Sequence, residues 1–284
     1  MHVKSYAKVN LTLEVVGILN NNYHEISSVI QMIDFADDID IETATGLTVA
    51  CSRPDLDSTD NLAYMALVVL QRFIDRPLNV SVRIEKNMPI AAGLGGGTSN
   101  AVTTLLAVCK LLEIRLHDED LHAIAKEIGA DASYFLHGGT ALASKWGEKI
   151  QVLPDAHADA NIILLPASIE ESDKTSRMYG MLDTGMFSDG SITNTLVSAL
   201  EAGDPVTDGH LYNVFDRVAL RMFPGIETSW KDFATISGTR VQLCGSGPTL
   251  FTVVPAERAS TVAERMRFLG YDPIIGSMVG GRRV

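Results

Sequence analysis

The chain has 284 residues, 46% apolar and 20% charged, which is enough for one large or two smaller globular domains with a sizeable core. A net charge of −12, with no dense Lys/Arg cluster, argues against nucleic acid or an anionic membrane surface as a partner. Cys51, Cys109 and Cys244 are far apart and the seven histidines lack metal-ligand spacing, which argues against a disulfide framework and a dedicated metal site. No apolar run reaches membrane-spanning length and Met1 to Tyr6 carries no signal-peptide core, so no membrane association and a cytoplasmic location with reduced thiols are expected.

In chain order, residues 4–17 alternate Val9, Leu11, Leu13 and Val15 with Lys8, Asn10, Thr12 and Glu14, the period of a strand. With one face in the core, Lys8 and Asn10 share the other. Asn20-Asn21-Asn22 signals a turn into Tyr23-His24, followed by strands over 27–33, 37–42 and 47–52. A helix is predicted over 61–74, capped by Asp60, with Leu62, Met65, Ala66, Val69, Leu70 and Phe73 on its apolar side. Residues 79–86 read as a half-buried strand through Val80, Val82 and Ile84.

The next stretch organises the rest. It runs Pro89-Ile90-Ala91-Ala92-Gly93-Leu94-Gly95-Gly96-Gly97-Thr98-Ser99-Asn100. Four glycines in five residues suit a loop that needs positive φ or close approach to a ligand. Behind it an apolar helix carries Val102, Leu105, Leu106, Cys109 and Leu112, with Thr98 or Ser99 as its expected N-cap. A strand, a glycine loop and a helix start together make an anion site, because free N–H groups and the positive helix end face the loop. Phosphate is the expected ligand, and a side chain at Gly95 or Gly96 is expected to obstruct it. The lysine of a P-loop and the third glycine of a dinucleotide fingerprint are both missing. The protein-kinase motif set is missing too. A plain glycine-rich surface turn is the competing reading.

Further on, Asp118 is the expected cap of a helix that Gly129 ends, and Gly129-Ala130-Asp131 follows. An acid there is commonly a turn or capping residue. Residues 154–160 are small and polar and form the candidate domain junction; residues 161–166 read as a buried strand. Tyr179 follows Thr175 on a short helix, as a core or a site aromatic, and 183–190 reads as loop. Asn213-Val214-Phe215 is read as opening a helix that stops before Pro224. Cys244-Gly245-Ser246-Gly247 is a tight turn between strands, followed by a helix over 256–269 and a last strand over 273–278.

Three of these segments, in this order, resemble the motifs of the GHMP kinase superfamily: Ala7-Lys8-Val9-Asn10-Leu11, the glycine loop, and Cys244-Gly245-Ser246-Gly247. Gly-Leu-Gly-Gly-Gly-Thr-Ser-Asn and the Tyr23-His24 pair resemble the branch that acts on 4-diphosphocytidyl-2-C-methyl-D-erythritol in non-mevalonate isoprenoid synthesis. The resemblance implies an α+β, two-domain GHMP kinase fold. Its parts would be a ribosomal protein S5 domain 2-like N-terminal domain over 1–155, holding ATP, and a ferredoxin-like C-terminal domain over 156–284. The implied reaction is Mg²⁺-assisted phosphoryl transfer from ATP to the 2-hydroxyl of that small-molecule substrate.

By the same resemblance Lys8 and Asp131 are catalytic. Asn10, Tyr23, His24, Thr175 and Tyr179 bind substrate: Tyr23 stacks on the cytosine, His24 reads its edge, and Tyr179 closes the other face. Asn61, Lys86, Pro89, Gly93, Leu94, Gly95, Gly96, Gly97, Thr98, Ser99 and Asn100 bind the nucleotide. Thr98 or Ser99 is a candidate contact for Mg²⁺, whose ligands stay open, as does the oligomeric state. Tyr6, Ser133 and Cys244 depart from the family's proline, proline and serine. Two rival readings follow: another GHMP kinase, of mevalonate or homoserine type, or a non-catalytic nucleotide-binding relative.

Overall fold

The computed structural model describes residues 1–156, 159–167 and 173–281; residues 157–158 of the proposed junction lie outside them. The first half is built around one long strand. Strands β1 (His2–Asn10) and β2 (Thr12–Ile18) follow each other along one edge of β3 (His24–Thr43). The single strand expected over 4–17 is therefore two, broken at Leu11, whose N–H donates to Val29 O (2.8 Å). The two strands expected over 27–33 and 37–42 are one. A register shift pairs Tyr6 with Ala36 but Ala7 with Ile33, so Asp34 and Phe35 bulge out of an otherwise continuous ladder.

Beyond β3 come β4 (Leu47–Cys51), α1 (Leu62–Ile74), β5 (Val80–Glu85) and α2 (Gly96–Leu111). Then follow α3 (Asp118–Ile128), α4 (Ala132–His137), β6 (Thr140–Lys145) and β7 (Lys149–Val152). β5 and β6 share the second edge of β3; β4 runs parallel to β5, and β7 antiparallel to β6. Two helix caps differ from expectation. Asn61, not Asp60, caps α1 by accepting from Ala63 N (2.9 Å). His117, not Asp118, caps α3 in a box with Asp120. The buried stripe of α1 is Ala63, Ala66, Leu67 and Leu70, while Met65 and Phe73 are exposed.

The second half has β8 (Ala160–Leu165), α5 (Lys174–Gly180), α6 (Ser191–Ala202) and β9 (Tyr212–Asn213). These lead to α7 (Ala219–Met222), α8 (Ile226–Ser237), β10 (Gln242–Leu243), β11 (Leu250–Pro255), α9 (Ala256–Phe268) and β12 (Ile274–Ser277). The strand order β10-β11-β8-β12 is antiparallel throughout, with helices after the first and third strands in sequence. This is the ferredoxin-like arrangement. Asn213 opens a 3₁₀ turn over Val214–Arg217 rather than an α-helix, and α7 follows it.

The two halves share packing. β9 pairs in parallel with β2, and Val9, Val29, Ile162, Leu164, Leu196 and Phe251 bury one another in a single cluster. Glu14, fully buried on β2, accepts from Thr193 N (2.7 Å) in the first turn of α6, where a carboxylate complements the helix dipole. The seam between the halves carries the cleft described next.

Candidate active site

Residues two apart on a strand point the same way, so β1 presents Lys8 and Asn10 together. Both are about 5% exposed or less. Lys8 Nζ donates to Asn10 Oδ1 (2.7 Å), and Asn10 Nδ2 donates to Ser28 Oγ (2.8 Å), which fixes the amide. Asp131 Oδ2 lies 3.4 Å from Lys8 Nζ. Asp131 precedes α4 but its side chain makes no capping bond, which leaves the carboxylate free to face the cleft. Ser133 does not loosen this turn, since Phe135 N donates to Asp131 O (3.2 Å) and Ser133 is buried.

The glycine loop meets Lys8 from above. Lys8 N donates to Leu94 O (3.0 Å). The N-cap of α2 is Gly95, in the left-handed region at φ 72°, and neither Thr98 nor Ser99. The first helical bond runs from Ser99 N to Gly95 O (2.8 Å), so the N–H groups of Gly96, Gly97 and Thr98 precede any helical acceptor. A Cβ on Gly95 would sit 2.9 Å from the Phe135 ring and 3.1 Å from Lys8 Cγ. At Gly96 a Cβ would meet Lys86 Nζ at 3.3 Å, an ammonium held in the network described below, and Met88 Cε at 3.4 Å. The tightest constraints are at Gly95 and at Gly93, where a Cβ would lie 1.9 Å from Cys244 O.

Gly93, Gly95 and Thr98 line the cleft, together with Ala91. Lys86, Ser99 and Asn100 are instead drawn into a buried network behind the helix, centred on Asp37. Lys86 forms a close ion pair with Asp37 and donates to Asn100 Oδ1 (2.9 Å). Asn100 Nδ2 donates to Asp37 Oδ2 (2.9 Å) and Ser5 Oγ (3.0 Å); Ser99 Oγ donates to Tyr6 O (2.7 Å). Asp37 also accepts from Asn87 N (2.7 Å) and Met88 N (2.8 Å). Pro89 lies between this network and the loop. Asn61 caps α1 close by, where Leu62 Cδ1 would be 3.3 Å from a Cβ on Gly97. Asp37 escaped the sequence reading because only the folded ladder brings it to Lys86. Removing it strands a buried ammonium, so Asp37→Ala should lower the unfolding free energy by about 3–5 kcal/mol, measured by urea denaturation.

The Cys244 turn closes the cleft from the second half. Cys244 is buried, and its thiol reaches Lys8 O (3.4 Å) and Gly93 O (3.3 Å), a hydroxyl-like use of the position. Burial pushes that thiol up to about 11, so it stays protonated as a donor. Asn213 Nδ2 holds the turn by donating to Leu243 O (2.9 Å) and Gly245 O (2.8 Å). Thr175 Oγ1 meets Ser246 Oγ at 2.9 Å. Lys174, another residue the sequence did not single out, donates from a buried ammonium to Ala91 O of the glycine loop and Gly247 O of this turn.

Aromatic rings form the remaining wall. His24 stacks on Tyr179 (4.9 Å between centroids, 23° between planes), and Phe187 meets it edge-on at 5.9 Å. Tyr179 also packs edge-on against Phe215, so it belongs to the core and to the cleft at once. Burial lowers the His24 pKa, favouring the neutral imidazole that can both donate and accept. Tyr23 is 60% exposed, with its ring 6.1 Å from Trp146. Trp146 sits on the β6–β7 turn after Lys145, itself left-handed at φ 60°. A tryptophan in a polar turn was the available signal for it. One cavity of about 1380 Å³ is lined by Lys8, Asn10, Asp131, Thr98, Tyr23 and Tyr179.

Residues 61–139 match the family of GHMP kinases N terminal domains. Over 255 residues the chain is 34% identical to a 4-diphosphocytidyl-2-C-methyl-D-erythritol kinase of Caldanaerobacter subterraneus subsp. tengcongensis, covering 89% of this chain and 88% of the relative. The chain belongs to the 4-diphosphocytidyl-2-C-methyl-D-erythritol kinase family. A second kinase of this family, from Dehalococcoides mccartyi, is 30% identical over 87% of each chain. A crystal structure of 4-(cytidine 5'-diphospho)-2C-methyl-D-erythritol kinase superposes with a TM-score of 0.83 at 27% identity, covering 99% of this chain and 100% of that one. Homoserine kinase from Cytophaga hutchinsonii shares the fold, with a TM-score of 0.71 at 16% identity.

Proposed function

We propose that this chain is the kinase that transfers the γ-phosphoryl group of ATP to the 2-hydroxyl of 4-diphosphocytidyl-2-C-methyl-D-erythritol. The observation that carries this reading is one cleft lined at once by the Lys8–Asp131 pair, a glycine-initiated helix start and the Tyr23-His24-Tyr179 rings. The family's kinases are named for that cytidyl substrate. The aromatic wall beside a neutral imidazole suits a base better than the short, non-aromatic chains of mevalonate or homoserine.

In this reading the N–H groups of Gly96, Gly97 and Thr98 receive phosphate oxygens. Asp131 accepts a hydrogen bond from the substrate hydroxyl, aims it, and takes its proton as transfer proceeds. Lys8 sits 3.4 Å from that carboxylate and offers positive charge where the attacking oxygen develops its own. Asn10 holds the ammonium in place. Mg²⁺, when bound, neutralises charge on the nucleotide's phosphates. The Thr98 hydroxyl lines the cleft and would be the ion's contact, whereas the Ser99 hydroxyl is committed to Tyr6 O.

A coupled ADP-release assay tests the proposal against a panel of the cytidyl substrate, mevalonate and homoserine. ADP release with the cytidyl substrate alone is expected. Release with mevalonate or homoserine instead, or with none of the three, would overturn it. Within the same assay Tyr23→Ala should raise KM for the cytidyl substrate about tenfold or more, since a base–aromatic stack is worth ~1–3 kcal/mol. KM for ATP should stay unchanged. Equal rises in both would detach Tyr23 from the base.

A further inference from the structure

Lys174 has no carboxylate partner among the described residues, although its side chain is buried. Its neighbours are backbone carbonyls of two loops, the Cys244 thiol and the like charge of Lys8. Burial, with Lys8 adding to it, lowers its pKa to about 8. A buried cation with no counter-charge among the described residues is costly, and a neutral donor could join the same two carbonyls. An anionic ligand in the cleft supplies such a counter-charge.

Its position says which anion. Lys174 opens the short helix that ends beside Tyr179, five residues or about 7–8 Å along the axis. Tyr179 stacks on His24 at the base wall. On its other side Lys174 touches Ala91 of the glycine loop and feels the charge of Lys8, the partner of Asp131. Lys174 lines the same cleft as Tyr179 of the aromatic wall and the Lys8–Asp131 pair. Along the substrate the order is base, diphosphate, then the reacting alcohol.

We propose that Lys174 is the residue that receives the diphosphate of the cytidyl substrate, and so helps to select a nucleoside-diphosphate-linked alcohol over an uncharged one. This rests on the functional reading above. The ammonium is pre-positioned by Ala91 O and Gly247 O, and the entering diphosphate gives it a counter-charge. Thr175, the next residue, tethers the helix start to Ser246 and keeps Lys174 over the cleft.

Calorimetric titration with CDP and with cytidine tests this on three variants. Lys174→Gln keeps a donor for the two carbonyls and loses the charge. It should weaken CDP about tenfold or more while cytidine stays within twofold, and should raise KM for the cytidyl substrate with kcat and the KM for ATP largely retained. Lys174→Arg should keep the preference for CDP over cytidine, and Lys174→Met should behave as the glutamine variant does. Equal losses for CDP and cytidine, or full recovery of CDP binding in Lys174→Gln, would reduce Lys174 to a loop clasp and overturn the proposal. A raised KM for ATP with CDP binding intact would overturn it too. Unmodified protein that binds cytidine normally keeps the functional reading standing in either case; failure to bind cytidine or CDP would bring down that reading as well.

Discussion

Replacing Asp131 with Asn should lower kcat by about 10²–10⁴-fold, the usual cost of losing a general base, with little change in the KM for ATP. The substitution is close to isosteric. The Asp131 side chain makes no capping bond that asparagine would have to replace, and the turn is held by its backbone carbonyl. An ordinary turn residue at this place would tolerate the change. The N–H groups of Gly96, Gly97 and Thr98, proposed above to receive phosphate, belong to a different element, so nucleotide binding should persist. Steady-state kinetics with ATP and the cytidyl substrate varied separately makes the distinction. Near-normal turnover in Asp131→Asn would remove Asp131 from the chemistry.

Lys8→Met should be comparably severe in kcat. The ammonium is 3.4 Å from Asp131 and bonded to Asn10, and no other cation stands against that carboxylate among the described residues. In the proposed mechanism the two side chains act on one hydroxyl, so their losses should not multiply. The double variant Lys8→Met with Asp131→Asn should stay near the worse of the two single variants. A double variant that falls by the full product would mean that the residues serve independent steps.

Much of this site was legible because it rests on short-range rules. Lys8 and Asn10 are two apart on a strand, so a shared face follows from the pleat. The glycine loop stands between a strand and a helix, which is enough to mark an anion site. The helix starts were less legible. Hydroxyl and acidic residues are good caps on average, yet α2 starts at Gly95 because a left-handed residue there brings the loop down onto Lys8 and Phe135. The length of β3 was hidden by the two-residue bulge at Asp34 and Phe35. Helix α6 carries β-branched Ile192, Thr193, Thr195 and Val197, poor local evidence for a helix, and its first turn is satisfied by Glu14 from a strand 179 residues earlier. Asp37, Trp146 and Lys174 were missed for the same reason. Their partners Lys86, Tyr23 and Gly247 are long-range neighbours that no window of sequence contains.

The central claim is phosphoryl transfer from ATP to an alcohol of the cytidyl substrate, and phosphorus NMR of the reaction mixture addresses it most directly. The account predicts one new phosphomonoester signal growing in step with ADP, while both diphosphate signals of the substrate remain. It also predicts that Asp131→Asn suppresses that signal without suppressing nucleotide binding. ADP formation accompanied by free inorganic phosphate alone, or by loss of the substrate's diphosphate signals, would contradict it.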